Sequence, residues 1–555
     1  MTSRTGGQIL VDQLKIHGTT HVFCVPGESY LAVLDALHDV DIKTIVCRQE
    51  GGAAFMAEAV GKSTGKPGIV MVTRGPGATN ASPGIHVASQ DSTPLIMFVG
   101  QVARDMKERE AFQELDYKAV FGTMAKWVVE IDRAKRIPEI LSRAFHVATQ
   151  GRPGPVVIAL PEDMLTDMAD VPDAKPFAPV AMKPGASDME ALQKRLLAAE
   201  RPIVLAGGSG WSGQGVDDLV AFAENFDLPV AVTFRRQMLF PADHRNFAGD
   251  LGIGPNPRLL QRVKDADLVI LLGGRLSEMP SQSYTLFDIP GDGEKLVHIH
   301  PGAEELNKVY RAGLGILATP HAFTAAAAGL PKPNQVKWSG EAAKAHADYL
   351  AWSNPQPIRT AGQVQMAQVM QHLVDVMPAD TVYCNGAGNY ATWVHRFWPF
   401  RAFASQLAPT SGSMGYGVPA SVAAKAIEPA RAVIAFAGDG CFMMNGQEFA
   451  TAVQYDLSII VVVVDNGMYG TIRMHQEREY PGRISATQLR NPDFADLARA
   501  YGGHGETVRK TEEFAGALER ARASGKPAII HVLIDPEAIT PARSLSDIRN
   551  AALKK

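Results

Sequence analysis

Ala432-Val433-Ile434-Ala435-Phe436-Ala437 runs into Gly438-Asp439-Gly440, and further on Ile459-Ile460-Val461-Val462-Val463-Val464 runs into Asp465-Asn466. Two apolar runs of strand length, each closed by small or polar residues and separated by a helix-length segment, predict a parallel βαβ unit. Both strands of such a unit end at one carboxyl edge, where open parallel sheets bind ligands, so Asp439 and Asn466 meet there. A carboxylate and an amide oxygen are an incomplete shell for a hard cation: Mg²⁺ takes roughly six oxygens, several from phosphate and water. Gly438 and Gly440 let the backbone approach phosphate oxygens, which the free N–H groups of the next helix would face. A Gly-Asp-Gly turn alone is commonplace. Joined to Asn466 at this spacing, it predicts a metal–diphosphate site.

Working outward, the same alternation fills the chain. His21–Val25, Ile42–Cys47, Gly68–Thr73 and Leu95–Val99 read as strands between Ala-rich helices. The expected fold class is α/β, with mostly parallel sheets flanked by helices. A Pro-rich stretch from Val171 to Gly185 and a polar stretch from Pro331 to Thr360 read as linkers. They divide the sequence into domains at about 1–175, 185–330 and 360–540, with a tail over 541–555 that is either disordered or folded over a site.

At 555 residues, with a formal net charge of −4 and no long Lys/Arg run, the sequence offers no footprint for nucleic acid or an anionic membrane. The longest apolar run, Leu457–Val464, has strand length rather than membrane-spanning length. The polar N-terminus lacks a signal-peptide core, and Cys24, Cys47, Cys384 and Cys441 form no CxxC pair. The expectation is a cytoplasmic protein whose partners are small molecules.

The middle domain holds Gly208-Ser209-Gly210-Trp211-Ser212-Gly213 after the strand Pro202–Ala206, a formal GxGxxG. No acidic residue ends the next strand, Pro229–Phe234, so the loop suits either a nucleotide-containing cofactor or a tight strand-to-helix turn. Gly61-Lys62-Ser63-Thr64-Gly65-Lys66 is one residue short of a phosphate-cradling loop, and His17 with His21 lacks the Glu of a zinc-protease helix.

The segment Gly438–Asn466 resembles the thiamine-diphosphate motif, and the similarity extends over nearly the whole chain to the acetolactate synthase and 2-oxo acid decarboxylase family. That resemblance implies an N-terminal pyrimidine-binding domain, a middle domain and a C-terminal diphosphate-binding domain. It makes Asp439, Asn466 and the Met468 carbonyl the Mg²⁺ ligands, and places Gly438, Gly440 and Cys441 against the cofactor. Thr410–Gly417 resembles the stretch in which a bulky residue, here Met414, bends thiamine diphosphate while Gly412 offers a carbonyl to its amine. Asn385–Tyr390 resembles a diphosphate loop, giving Gly388 and Asn389. Arg48–Ala54 resembles the segment with the catalytic glutamate, here Glu50, and Gly65–Gly68 and Arg74–Asn80 follow in family order. The resemblance further implies that Glu50 shares a proton with the cofactor's pyrimidine, that a 2-oxo acid loses CO₂, and that a second carbonyl compound, such as an aldehyde, is ligated. The glutamate of one subunit would serve the cofactor of another, so a homodimer or homotetramer is implied.

Several residues depart from the synthase pattern. Phe112 and Gln113 match its substrate side, but His475 stands where a tryptophan is expected. In Pro26-Gly27-Glu28-Ser29, Glu28 replaces a small residue, as in aldehyde-releasing decarboxylases, and Arg74 also replaces a small residue. The synthases' FAD is supported by Gly274-Arg275, whereas Leu276-Ser277-Glu278 lacks the usual aspartates and Arg235-Arg236 fills a normally apolar stretch. Three readings follow: an acetolactate-synthase-like carboligase; a non-ligating 2-oxo acid decarboxylase or a lyase of hydroxyacyl or aromatic substrates; and a non-catalytic cofactor-binding paralogue, against which Glu50 with Asp439 and Asn466 argues. The substrate is not legible, and nothing in the sequence identifies a regulatory subunit.

Overall fold

The computed structural model describes residues 3–291 and 293–554. The expected three-domain α/β architecture is what these residues form: three six-stranded, wholly parallel sheets, flanked by helices. With strands counted in chain order within each sheet, the first sheet (Lys43–Val46, His21–Cys24, Gly68–Val72, Leu95–Gln101, Pro155–Pro161, Trp127–Glu130) has the order 2-1-3-4-6-5. The third (Gln406–Leu407, Val382–Asn385, Val433–Gly438, Ile460–Asp465, Ala528–Leu533, His504–Val508) repeats that order. The middle sheet (Phe247–Leu251, Val230–Thr233, Pro202–Ala206, Leu268–Leu272, Leu296–His300, Leu314–Leu317) runs 3-2-1-4-5-6, the doubly wound dinucleotide-fold order. Sheets covered on both faces need strands that are apolar throughout, and Ile460–Asp465 is buried along its whole length.

The first and third domains share one apolar core. Helices Glu50–Thr64, Gly75–Asp91 and Gly417–Ile427 carry mostly Gly and Ala on their facing sides and pack closely. A Cβ on Gly84 would stand 2.3 Å from that of Ala54, so a larger residue there would force these helices apart.

Val171–Gly185 is irregular chain, as a linker should be. Pro331–Thr360, expected as a linker, instead contains the helix Glu341–Ser353. Tyr349 packs edge-on against Phe247 at 4.7 Å, Trp338 Nε1 donates to Phe226 O at 2.9 Å, and Asp348 pairs with Arg258 and Arg262, so this helix covers the middle sheet. The tail resolves in favour of folding over. Helix Leu545–Leu553, capped by Ser544 and Asp547, forks Arg549 onto Glu477 at 2.8 and 2.6 Å. Leu545 and Ile548 pack with Met468 and Ile539. No helix among the described residues is long and apolar enough to cross a membrane.

Candidate active site

In the third sheet the order in which strands are added reverses between its first and third strands, Val382–Asn385 and Val433–Gly438, the switch point at which such sheets open a crevice. Gly388 and Asn389 follow the first of these strands, Gly438-Asp439-Gly440 the second, and Asn466 the neighbouring strand. Pairing sets Gly438 beside Val464, so Asp439 and Asp465 emerge side by side. A cavity of about 260 Å³ lies here. Its walls include Gly388, Asn389, Gly412, Met414, Gly438, Asp439, Gly440, Cys441, Asn466 and Met468, which are all ten cofactor and metal candidates read from the sequence.

The cavity contains one carboxylate, Asp439, and no Lys or Arg. Helices Asp439–Asn445 and Gly470–Glu479 present their opening residues to it, and Asn389 and Tyr390 directly precede the helix Ala391–Phe397. Helix N-termini favour anions, so these walls suit a diphosphate carrying a divalent cation. Among the described residues no group of three or more His, Cys, Asp or Glu could hold a metal alone. The donor set of one carboxylate, one amide and a backbone carbonyl therefore fits Mg²⁺, which takes its remaining oxygens from phosphate and water.

Asp439 is 3% exposed, and burial pushes its carboxyl up to about 6, with the charge of Asp465 adding and the Asn491 amide opposing. Burial also raises Asp465, but hydrogen bonds from His531 Nε2 (2.9 Å) and the Gly467 N–H (2.8 Å) help hold it below the usual carboxylate range. Asn491 Nδ2 bridges the two acids at 2.8 and 2.9 Å. Of the two acids Asp439 is the one whose pKa is raised, and a cation at the site would favour its charged form. Asn491 and His531 were missed by sequence reading because they lie in segments that only folding brings to this edge. Thr471 was missed as well; its hydroxyl accepts from Asn389 N–H and donates to Asn389 Oδ1, each at 3.0 Å.

The loop carrying Gly412 and Met414 is fastened at both ends to the first domain. Asp91 accepts from Thr410 N–H (2.9 Å) and its hydroxyl (2.6 Å), and pairs with Lys62 at 2.6 Å. Lys62 also lies 3.2 Å from Glu58, which accepts from the Tyr416 hydroxyl at 2.5 Å. Burial opposes the Asp91 charge, but Lys62 and Arg236 outweigh it and lower its pKa. Lys62, from the discarded phosphate-loop look-alike, is part of this buried network. Between the fastenings Gly412 (φ +70°) and Gly415 (φ +79°) take left-handed turns, and a Cβ on Gly415 would meet Met444 at 2.7 Å. The Cys441 sulfur accepts from Gly415 N–H at 3.2 Å and lies 3.1 Å from the Tyr390 hydroxyl, which ties Cys441 into the wall.

The N-terminal candidates gather at the corresponding edge of the first sheet. Glu50 opens its helix, and Asn80 Nδ2 donates to Glu50 Oε2 at 3.0 Å. Gly77 stands so close that an added Cβ would meet Glu50 Oε1 at 3.2 Å, and a Cβ on Gly27 would strike Thr73 at 2.4 Å. Gly75 N–H donates to Gln113 O at 3.0 Å, and Phe112 beside it is 71% exposed. Arg74, buried, pairs with Glu28 and Glu162; it holds Glu28 at 3.4 Å while leaving that side chain 67% exposed. None of these residues lines the cavity of its own chain.

A second cavity, of about 1060 Å³, shares Gly388, Asn389, Gly412 and Thr471 with the first and extends to the middle domain. His475 lines it, exposed and 2.5 Å from Arg478; burial, and then Arg478, lower its pKa. The Gly208–Gly213 turn is used structurally: a Cβ on Gly208 would lie 1.8 Å from Gly273 O, and Arg236 donates to Gly208 O at 2.9 Å and Asp91 O at 3.0 Å. Between the Gly208 and Gly273 turns about 60 Å³ remains, far below the ~300 Å³ at the small end of ligand pockets. The gap between these turns is too small for FAD by itself; it adjoins the 1060 Å³ cavity through Arg275 and Ser277, and no catalytic step is assigned to a flavin.

Comparison with known proteins agrees with this geometry. Profiles described as the thiamine pyrophosphate enzyme N-terminal TPP binding domain, central domain and C-terminal TPP binding domain match residues 4–120, 189–327 and 386–532. The chain belongs to the thiamine pyrophosphate enzyme family and is an enzyme. It is 31% identical to the acetolactate synthase large subunit of Lactococcus lactis, over 96% of this chain and 92% of that one. It is 30% identical to the probable acetolactate synthase large subunit of Methanocaldococcus jannaschii (97% and 93% covered) and to the isozyme 2 large subunit of Escherichia coli (96% and 95%).

Proposed function

We propose that the chain is a Mg²⁺- and thiamine-diphosphate-dependent carboligase that decarboxylates a 2-oxo acid and joins the remaining fragment to a second carbonyl compound, in the manner named for its acetolactate synthase relatives. The observation that carries this reading is the convergence of ten candidate residues on one switch-point cavity whose sole carboxylate, Asp439, stands beside Asn466. Asp439, Asn466 and the Met468 carbonyl would hold the metal. Thiamine diphosphate supplies, when bound, a carbon nucleophile and an acceptor for the electrons released with CO₂. Gly412 and Met414 shape the wall on which it would be oriented, held by Asp91 through Thr410. Glu50 is the group that holds and returns a proton at its Oε, its carboxylate oriented by Asn80.

Glu50 lies outside the cavity of its own chain, and the exposed Phe112 sits on the same side of the first domain. Both features support an active site completed by a second copy, as a homodimer or homotetramer. Four buried free cysteines support a reducing cytoplasm. A second reading, aldehyde release, rests on the exposed carboxylate of Glu28, held by Arg74 at 3.4 Å, acting as a proton donor to the product. Incubating the cofactor-loaded protein with pyruvate and identifying products separates the two. Acetolactate supports ligation; acetaldehyde alone supports the second reading and refutes the first.

A further inference from the structure

Five Lys and Arg residues are buried among the described residues, and four of them have a carboxylate within 4.0 Å: Lys62 with Asp91, Arg74 with Glu162, Arg236 with Asp91, and Arg473 with Glu477. Arg235 has none. It is 3% exposed, one of its terminal nitrogens donates to Pro409 O, and its Nε has no hydrogen-bond partner. Its backbone is held at φ +58°, a conformation uncommon for a side chain of this size. Burial works against its charge. A buried cation without a counter-ion is strongly disfavoured unless something else supplies the negative charge.

Arg235 lines the 1060 Å³ cavity that opens onto the cofactor cavity. Phe234, Tyr284, Tyr349 and Trp352 line it too. The acids in its wall do not neutralise Arg235: Asp250 and Glu278 form no ion pair with it, and burial pushes Asp250 up to about 7. We propose that this cavity binds the carboxylate of a substrate with an aromatic or large apolar body, that Arg235 is the anchor for that carboxylate, and that the aromatic walls take the body. The shared wall at Gly388, Asn389, Gly412 and Thr471 then leads the ligand's carbonyl end to the cofactor. This rests on the reading of the chain as a 2-oxo acid enzyme and names the substrate class.

The test is calorimetric titration of the cofactor-loaded enzyme with 2-hydroxy-4-phenylbutanoate, which has no keto carbon to react, and with its amide. The wild type is expected to prefer the carboxylate by ~10- to 100-fold, the range for a hydrogen bond to a charged group. Arg235→Met should lose that preference while keeping the affinity for the amide, and Arg235→Lys should retain part of it. Melting temperature gives a second readout: the carboxylate should raise that of the wild type and leave that of Arg235→Met unmoved. Equal affinity of the wild type for both probes, a preference that survives in Arg235→Met, or a flavin found filling the cavity in purified protein would overturn the inference. Preference for the carboxylate without CO₂ release from any 2-oxo acid would remove the functional reading and leave the anion site standing. CO₂ release without the preference would do the reverse.

Discussion

Asp91→Ala removes the acceptor that fastens Thr410, and with it the start of the loop carrying Gly412 and Met414. The side chain is fully enclosed, 2.6 Å from Lys62 Nζ and 3.9 Å from Arg236, and takes two hydrogen bonds from Thr410. Breaking a buried ion pair costs about 3–5 kcal/mol because the partner charge stays buried. Lys62 keeps Glu58 at 3.2 Å, and Arg236, only 3.9 Å from the lost carboxylate, keeps its hydrogen bonds to the Gly208 and Asp91 carbonyls, so the lower end, about 3 kcal/mol, is expected for Ala. Asp91→Asn retains an acceptor for Thr410 and loses only the charge, so it should cost less and leave the loop in place. The assay is urea unfolding paired with hydrogen exchange of residues 409–416 and thiamine diphosphate affinity. Ala should lower stability, speed exchange in that segment and weaken cofactor binding; Asn should lower stability with near-normal exchange. Unchanged stability and exchange in Asp91→Ala would refute the claim that this buried pair sets the loop.

Three further outcomes follow from the geometry. Glu50→Gln and Asp439→Ala, each inactive alone, should regain part of the wild-type turnover when co-expressed, because a mixed dimer holds one site with both native residues; no recovery would count against an active site shared between copies. Burial, and then His146, hold His17 down at about 4, and its Nδ1 accepts from Phe177 in the chain between the first two domains. Its folded pKa lies below the unfolded value near 6.5, so the stabilisation is complete above pH ~6.5 and is lost as pH falls toward 4. His17→Phe should flatten the acid limb of the melting curve, and an unaltered limb would show that His17 does not contribute. The Asp439 proton competes with the metal, so Mg²⁺ affinity should drop as pH falls through about 6, an effect absent in Asp439→Asn.

The strand-ending residues Asp439 and Asn466 were legible because a parallel sheet carries every strand end to one edge, and strand periodicity survives in local sequence. Glu50 is different: a Glu in the first turn of a helix is commonplace, so it was legible only through the family resemblance of Arg48–Ala54 and the segments that follow it. The Glu341–Ser353 helix was not legible: its buried face is Ala342, Ala345 and Tyr349, too weakly apolar to stand out between flanking prolines. Asn491 and His531 come from distant segments, and no local pattern marks a residue whose role is to bridge two acids across a sheet edge. Arg235 and Arg236 stood out as charges in an apolar stretch. Their different fates, one paired with Asp91 and one left without a counter-ion, depend on which way each side chain turns, and only the fold fixes that.

The most direct test of the account is CO₂ release from a panel of 2-oxo acids by purified protein stripped of cofactor and metal, with thiamine diphosphate and Mg²⁺ added back singly and together. The account predicts release from at least one acid only when both are present, and its loss in Glu50→Gln and in Asp439→Ala. Release that needs neither addition, or that persists undiminished in both variants, would contradict it.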